Sequence, residues 1–379
     1  MERPALLRRI LPIAAVVLAV QTAFTAGQSA GRARTLYDTA LRLQRDGNAA
    51  GALALLWEAA GLAPADGDIQ NELGRALERI GALDAAAEAY RAAADGPHAP
   101  PGAARNLVLA LVKVGRSSEA IARAKAGVER SSDDADRWFT LGLAQSDVDV
   151  DGAIDSFHHA LALDPRHGLA QYNLALVLYR ADRVQPALDA LHSALAIQPR
   201  PEIYYTLGTI YWHLGDLDRA VSALTEATTA SPDYAEALLA LGTILEARGN
   251  TKGSRSALER AVRLRPDLTA PHIVLARTLT AAGDEAGATR ESAEAQRLRT
   301  LSENEQKAAA LTAAGAQKLD GGDASGAAQC FRQAIEAFDA FAPAHYQLGR
   351  ALDRLGRPDA ARAEFARAQQ LNPALVPPR

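Results

Sequence analysis

Ala160-Leu161-Ala162-Leu163-Asp164-Pro165 returns as Ala194-Leu195-Ala196-Ile197-Gln198-Pro199. Looser copies run from Ala227 to Pro232, Ala261 to Pro266 and Ala368 to Pro373. The period is about 34 residues, the length of one helical hairpin. Upstream of each copy lies a Leu-Gly or Leu-Ala pair: Leu141-Gly142, Leu174-Ala175, Leu207-Gly208, Leu241-Gly242, Leu275-Ala276 and Leu348-Gly349. Between pair and copy there is usually a turn glycine, as at Gly215, Gly249, Gly283 and Gly356, then a small residue opening a second helix.

The logic of this pattern is steric. Two antiparallel helices approach closely only where one presents a small residue, hence Gly or Ala after the leucine, and Ala153, Ala187 and Ala220 on the partner. Larger residues such as Leu191, Leu224 and Phe365 fill the space beside those contacts. Glycine closes the first helix at low conformational cost, and proline ends the second. Composition agrees with an all-α chain: Ala, Leu, Arg and Glu dominate, and aromatic residues make up only 5%.

Trp138, Leu141-Gly142, Ala153, Phe157, Ala160 and Pro165 complete the pattern within one unit. The chain closely resembles the tetratricopeptide repeat family, whose Trp–Leu-Gly–Tyr–Ala–Phe–Ala–Pro motif these positions reproduce. The resemblance implies an all-α, right-handed superhelical solenoid of about ten antiparallel helix-turn-helix repeats. The units are read as 33–66, 67–100, 101–134, 135–167, 168–200, 201–234, 235–268, 269–302, 308–341 and 342–375. Eight repeats would thus span 33–302 and two more 303–375 after a register break, leaving a short tail at 376–379.

Three departures carry expectations of their own. Units 135–167 and 168–200 are one residue short, the first within its internal turn. Gly253-Ser254 opens the second helix of unit 235–268 where the resemblance implies a larger residue followed by alanine, so that helix is expected to start late or fray. Residues 303–307 are extra, and Ser302 with Glu305 reads as a capping box opening a lengthened first helix of the ninth unit. The other reading of that stretch fuses two helices into one.

The N-terminus is a different kind of sequence. Arg3, Arg8 and Arg9 precede an apolar run from Ile10 to Val20, followed by small residues to Gly27. Residues 1–27 therefore read as an export signal, or as an uncleaved anchor through 10–26. The expected location is periplasmic or secreted, with membrane contact only through this segment. Cys330 is the single cysteine, so no internal disulfide exists and stability rests on packing.

No converging catalytic constellation is present: no phosphate loop, no nucleophile turn and no Cys/His ligand set. The chain is read as a non-enzyme that needs no cofactor. His158 and His159 are adjacent on a helix and point apart, so they read as surface histidines. Asp147, Asp149 and Asp151 followed by Gly152 match the first half of a calcium loop, but His158 stands where the bidentate glutamate belongs. The reading kept is an acidic, capped turn. A net charge of -4 makes no case for nucleic acid.

The family resemblance points instead to the concave face lined by each first helix. Mapped onto this sequence, its middle units place Phe139, Tyr172, Leu176, Tyr179, Arg180, Tyr205, Trp212 and His213 there. Matching places in other units carry mostly charged or small residues, such as Asn71, Arg75, Glu78, Ala240 and Thr243. Tyr and Trp supply large contact area at low entropic cost. The family's clamp for an acidic C-terminus is not matched, since Leu109 occupies an asparagine position; nor is its asparagine ladder, of which only Asn106 and Asn173 remain. The functional expectation is a scaffold for a protein or an extended peptide. The alternative is a recognition or assembly subunit of an envelope complex whose activity lies in another chain.

Overall fold

The computed structural model describes residues 29–372 and 375. Residues 1–27, read above as an export signal or anchor, lie outside the described residues, as does the tail at 376–379. Among the described residues the chain is helical, without a strand, and no helix is long and apolar enough to cross a membrane. It divides into two compact units between Pro199 and Arg200.

In the first unit, α1 (29–45), α2 (Ala49–Leu62), α3 (Gly67–Arg79), α4 (Leu83–Asp95) and α5 (Ala103–Lys113) are followed by α6 (Ser117–Arg130), α7 (Ala135–Gln145), α8 (Val150–Leu163), α9 (Gly168–Arg180) and α10 (Val184–Ile197). The second unit holds α11 (Pro201–His213), α12 (Leu217–Ala230), α13 (Ala235–Ala247), α14 (Thr251–Leu264), α15 (Thr269–Ala281), α16 (Glu285–Asp320), α17 (Ala324–Ala337), α18 (Ala342–Arg354) and α19 (Pro358–Leu371). From α2 onward each helix within a unit packs against the next, as the arms of successive hairpins. Each hairpin leaves an apolar face that only its neighbour covers.

The small-to-large contact expected from sequence is the fixed point of each hairpin. A Cβ on Gly142 would lie 2.6 Å from the Phe157 ring, one on Gly208 would lie 2.6 Å from Leu224 Cγ, and one on Gly349 would lie 2.7 Å from the Phe365 ring. Phe157 and Leu224 are fully buried at these contacts. The turns follow the same economy. Gly215, Gly249, Gly283 and Gly356 take positive φ between helices, and in the shortened unit 168–200 Asp182 adopts φ 59° in place of glycine.

Two expectations are corrected. The helix opened by Gly253-Ser254 does not start late: α14 begins at Thr251, and the Asn250 side chain accepts the Gly253 N–H at 3.0 Å. Ser254 is fully buried, its hydroxyl 3.0 Å from that of Thr278, which also donates to the Val274 carbonyl. A local hydrogen bond thus offsets a weak helix former.

The second correction concerns residues 303–307. No cap forms at Ser302; α16 runs unbroken for 36 residues, joining the second helix of the eighth repeat to the first helix of the ninth. Interrupting a helix orphans up to four N–H and four C=O groups, a cost that packing of the next hairpin must offset. Here that packing is weak. Ser292 is exposed where the other second helices mostly bury Leu or Phe, and Ala314 and Lys318 are exposed where α9, α15 and α18 bury leucines. The segment also lacks the proline that ends other second helices. The apolar cores reflect the change. One gathers Leu258, Val274, Leu275, Leu279 and Ala288, while those beyond the midpoint of α16 gather Leu319, Phe331, Leu348 and Phe365, and Ala308, Ala334 and Ala344.

Two histidines are structural in a way the sequence reading passed over. His272 on α15 and His345 on α18 are both buried at the position that Trp138 holds in its own unit. His272 Nδ1 lies 2.6 Å from Glu291 Oε2, and its Nε2 lies 3.2 Å from the Pro266 carbonyl. His345 repeats this with Glu364 at 2.7 Å and the Asp339 carbonyl at 2.9 Å. The shared signal, a His followed nineteen residues later by a Glu, is visible in the sequence once the repeat frame is set.

Candidate binding surfaces

The aromatic positions expected to face a ligand fall in both compact units, and each unit presents its own set. On α9, Tyr172, Leu176 and Tyr179 follow one another at spacings of four and three residues and so share one helix face. All three are half-buried: their bases are packed and part of each side chain reaches solvent. α9 is capped by His167, whose Nδ1 accepts the Ala170 N–H at 3.1 Å.

Arg180 is exposed at the end of the same helix, but its guanidinium is engaged. It donates to Asp147 Oδ1 at 2.6 Å and to the Ser146 carbonyl at 2.7 Å, so it braces the α7–α8 turn. Phe139 must be withdrawn from the open surface. It is 4% exposed, with its ring 6.0 Å from that of Phe157 and 4.7 Å from that of His167. Its position one residue after Trp138 turns it into the contact with the next hairpin, where burial of a phenylalanine is the stronger effect.

In the second unit, α11 carries Tyr205 and Trp212, seven residues apart and both half-buried, with Thr209 between them on that face. The Tyr205 ring is 5.2 Å from Tyr234, which precedes α13, and the Trp212 ring is 6.3 Å from His213. His213 itself is exposed. The helix end is fixed by the following turn. Asp216 accepts the Arg219 N–H at 3.0 Å and its Nε at 2.6 Å, and these bonds, the backbone one first, hold the Asp216 carboxyl below its usual range. The Arg219 guanidinium in turn covers the buried Tyr211 ring at 4.8 Å.

The three aspartates of the calcium-like stretch go to separate partners. Asp149 caps α8, accepting from the Gly152 N–H at 3.0 Å and from Gln145 Nε2 at 2.9 Å. Asp147 pairs with Arg180, and Asp151 with Arg183 at 2.9 Å. Of the adjacent histidines, His159 stacks on Trp138 at 4.3 Å and both remain exposed. Cys330 sits half-buried on α17. What the surfaces on α9 and α11 offer is therefore contact area, ring faces and hydroxyl tips held on rigid helices.

Models of the tetratricopeptide repeat match residues 19–104, 148–200 and 205–269, more than half of the chain, and a second such model matches 342–375. The chain belongs to the tetratricopeptide repeat family. Comparison with curated proteins returns no match. Among solved structures, a tetratricopeptide repeat protein, YrrB, described as having an unusual peptide-binding site, is 20% identical with a TM-score of 0.41, covering 46% of this chain and 91% of its own. A MamA from Desulfovibrio magneticus RS-1 is 22% identical with a TM-score of 0.38, covering 44% and 95%. The human IFIT1 dimer with m7Gppp-AAAA is 16% identical with a TM-score of 0.43, covering 89% of each chain. What those proteins bind is a property of theirs.

Proposed function

We propose that this tetratricopeptide repeat protein is a non-catalytic scaffold that binds a protein or an extended peptide through the exposed faces of its first helices. The supporting observation is the set of half-buried Tyr, Trp and Leu side chains on α9 and α11 in a chain otherwise poor in aromatics. Rigid aromatics with packed bases lose little entropy on binding, and so suit anchoring contacts. Tyr172, Leu176 and Tyr179 form one anchor set, and Tyr205, Trp212 and His213 another. Arg180 supports the first set by bracing its neighbouring turn.

The arginine-led apolar N-terminus supports an exported location for this scaffold, periplasmic or secreted. Truncating Tyr179 and Trp212 to Ala tests the reading. Each change is expected to weaken capture of a purified partner by about 1–2 kcal/mol or more, the cost typical of a buried aromatic anchor. Unchanged binding in the double variant, with unchanged helicity, would move the interaction to another surface. A captured partner that carries an enzymatic activity would make the scaffold a recognition subunit.

A further inference from the structure

The eighth hairpin lacks the large side chain that fills the others. Sixteen residues after the small position of the first helix, Gly208 meets Leu224, Gly242 meets Leu258 and Gly315 meets Phe331. In the third hairpin the sizes are exchanged, Val108 standing in the glycine place and Ala124 in the leucine place. Only between α15 and α16 are both partners small, Ala276 and Ser292. The vacancy is an open pocket of about 340 Å³ between the two helices.

The course of α16 keeps that pocket open. In a regular array the next first helix would lie alongside, but α16 continues along its own axis. At 1.5 Å per residue, Thr312 on its second half is carried about 20 Å beyond Arg299. The pocket is therefore floored by Ala276, Ser292 and Ala295, all on the facing sides of the hairpin. Ile273 stands at its edge, 38% exposed, and the rim carries Arg277 and Arg299. Arg277 donates to Glu246 Oε2 at 2.7 Å, whereas Arg299 makes no ion pair among the described residues.

We propose that this pocket takes one large apolar side chain, Leu or Phe, from an acidic peptide whose neighbouring Asp or Glu pairs with Arg299. The proposal deepens the scaffold reading and rests on it. The incoming side chain replaces, in trans, the residue that Leu224 and Phe331 supply in cis. Its volume sits at the low end of ligand sites, roughly 300–1,000 Å³, so it admits a side chain and its backbone rather than a folded surface. An exposed arginine at the rim of an apolar pocket favours a carboxylate, by a charge-assisted and often bidentate bond.

The test uses the full chain. Short random peptides displayed on phage are selected against the wild type, and the enriched sequences are synthesised with a fluorescent label for anisotropy titration. Enrichment of Leu or Phe beside Asp or Glu is expected. Affinity should fall roughly tenfold or more, about 1.4 kcal/mol, in each of Ser292→Leu and Arg299→Glu. Ser292→Leu restores the large residue found in other hairpins, so its melting temperature should stay level or rise, separating lost binding from lost fold. Peptides that bind both variants as well as the wild type would overturn the pocket. If those same peptides lose affinity on Trp212→Ala, the scaffold reading stands while this site falls. Selection that yields no acidic apolar peptides overturns the pocket alone, because the scaffold reading is tested with a protein partner.

Discussion

Replacing Phe157 with Ala will destabilise the first unit by about 3–5 kcal/mol, the range for emptying a fully buried aromatic site. Phe157 is 0% exposed, packs on the bare face of Gly142 and lies against the Phe139 ring. The helices cannot close over the cavity, because their separation is also held by Ala153 and Ala160, both fully buried. Chemical denaturation followed by circular dichroism reads the loss. A compensated pair sharpens the argument. Gly142→Ala alone pushes a Cβ to 2.6 Å from the ring and should cost about 1–3 kcal/mol. Combined with Phe157→Leu it recreates the Ala175 and Leu191 pairing of the next hairpin, so the double variant should be more stable than the sum of the two single changes. Strict additivity would mean that these two residues do not set the hairpin spacing.

The second large effect is expected at Ser302→Pro. Ser302 is exposed in the middle of α16, and its side chain makes no contact that proline would remove beyond a 3.4 Å approach of Gln306. The backbone is what changes: proline deletes one helical hydrogen bond and clashes with the carbonyl four residues earlier, at a cost of about 3 kcal/mol. In a hairpin array that cost could be hidden by packing between adjacent repeats. Here Ser292, Ala314 and Lys318 have removed the large apolar contacts, so the helix itself carries the connection. Limited proteolysis should therefore cut the variant near residue 302 and leave the wild type whole, with folded fragments on each side. Resistance equal to wild type would show that packing, not the continuous helix, holds this region.

The contrast between these two sites explains what could be read from sequence. The hairpins were legible because the small position, its large partner and the proline recur in register, and each has one steric meaning. Gly253-Ser254 was misjudged because the Asn250 cap holds the first turn of α14 and Ser254 pairs with the Thr278 hydroxyl on α15, neither of which the repeat pattern describes. The fused helix was visible only as one of two readings. Ser302 and Glu305 have the form of a capping box, while the decisive signal lies elsewhere, in the large apolar residues missing at Ser292, Ala314 and Lys318. A cap is worth about 1 kcal/mol, less than the apolar burial that would have been needed to turn the chain.

The proposed surface rests on a similar pattern. The family resemblance set Tyr172 with Leu176 and Tyr179, and Tyr205 with Trp212, on first-helix faces, and all five are half-buried on α9 and α11. It could not tell that Phe139 would be taken by its own core, or that Arg180 would be occupied by Asp147 and the Ser146 carbonyl. Both fates depend on what the neighbouring turn presents. The pocket beside Ser292 was missed altogether, since an absent side chain gives no motif.

Partner contact through the first-helix faces is tested most directly by crosslinking. A photoreactive phenylalanine analogue placed at Tyr205 in the full chain, irradiated in its native cells, should give a discrete crosslinked protein or peptide identified by mass spectrometry. The same probe at Glu226, exposed on the second helix α12, should give none of it. Equal crosslinking from both positions, or none from Tyr205 while Glu226 captures a partner, would contradict the assignment of the binding surface.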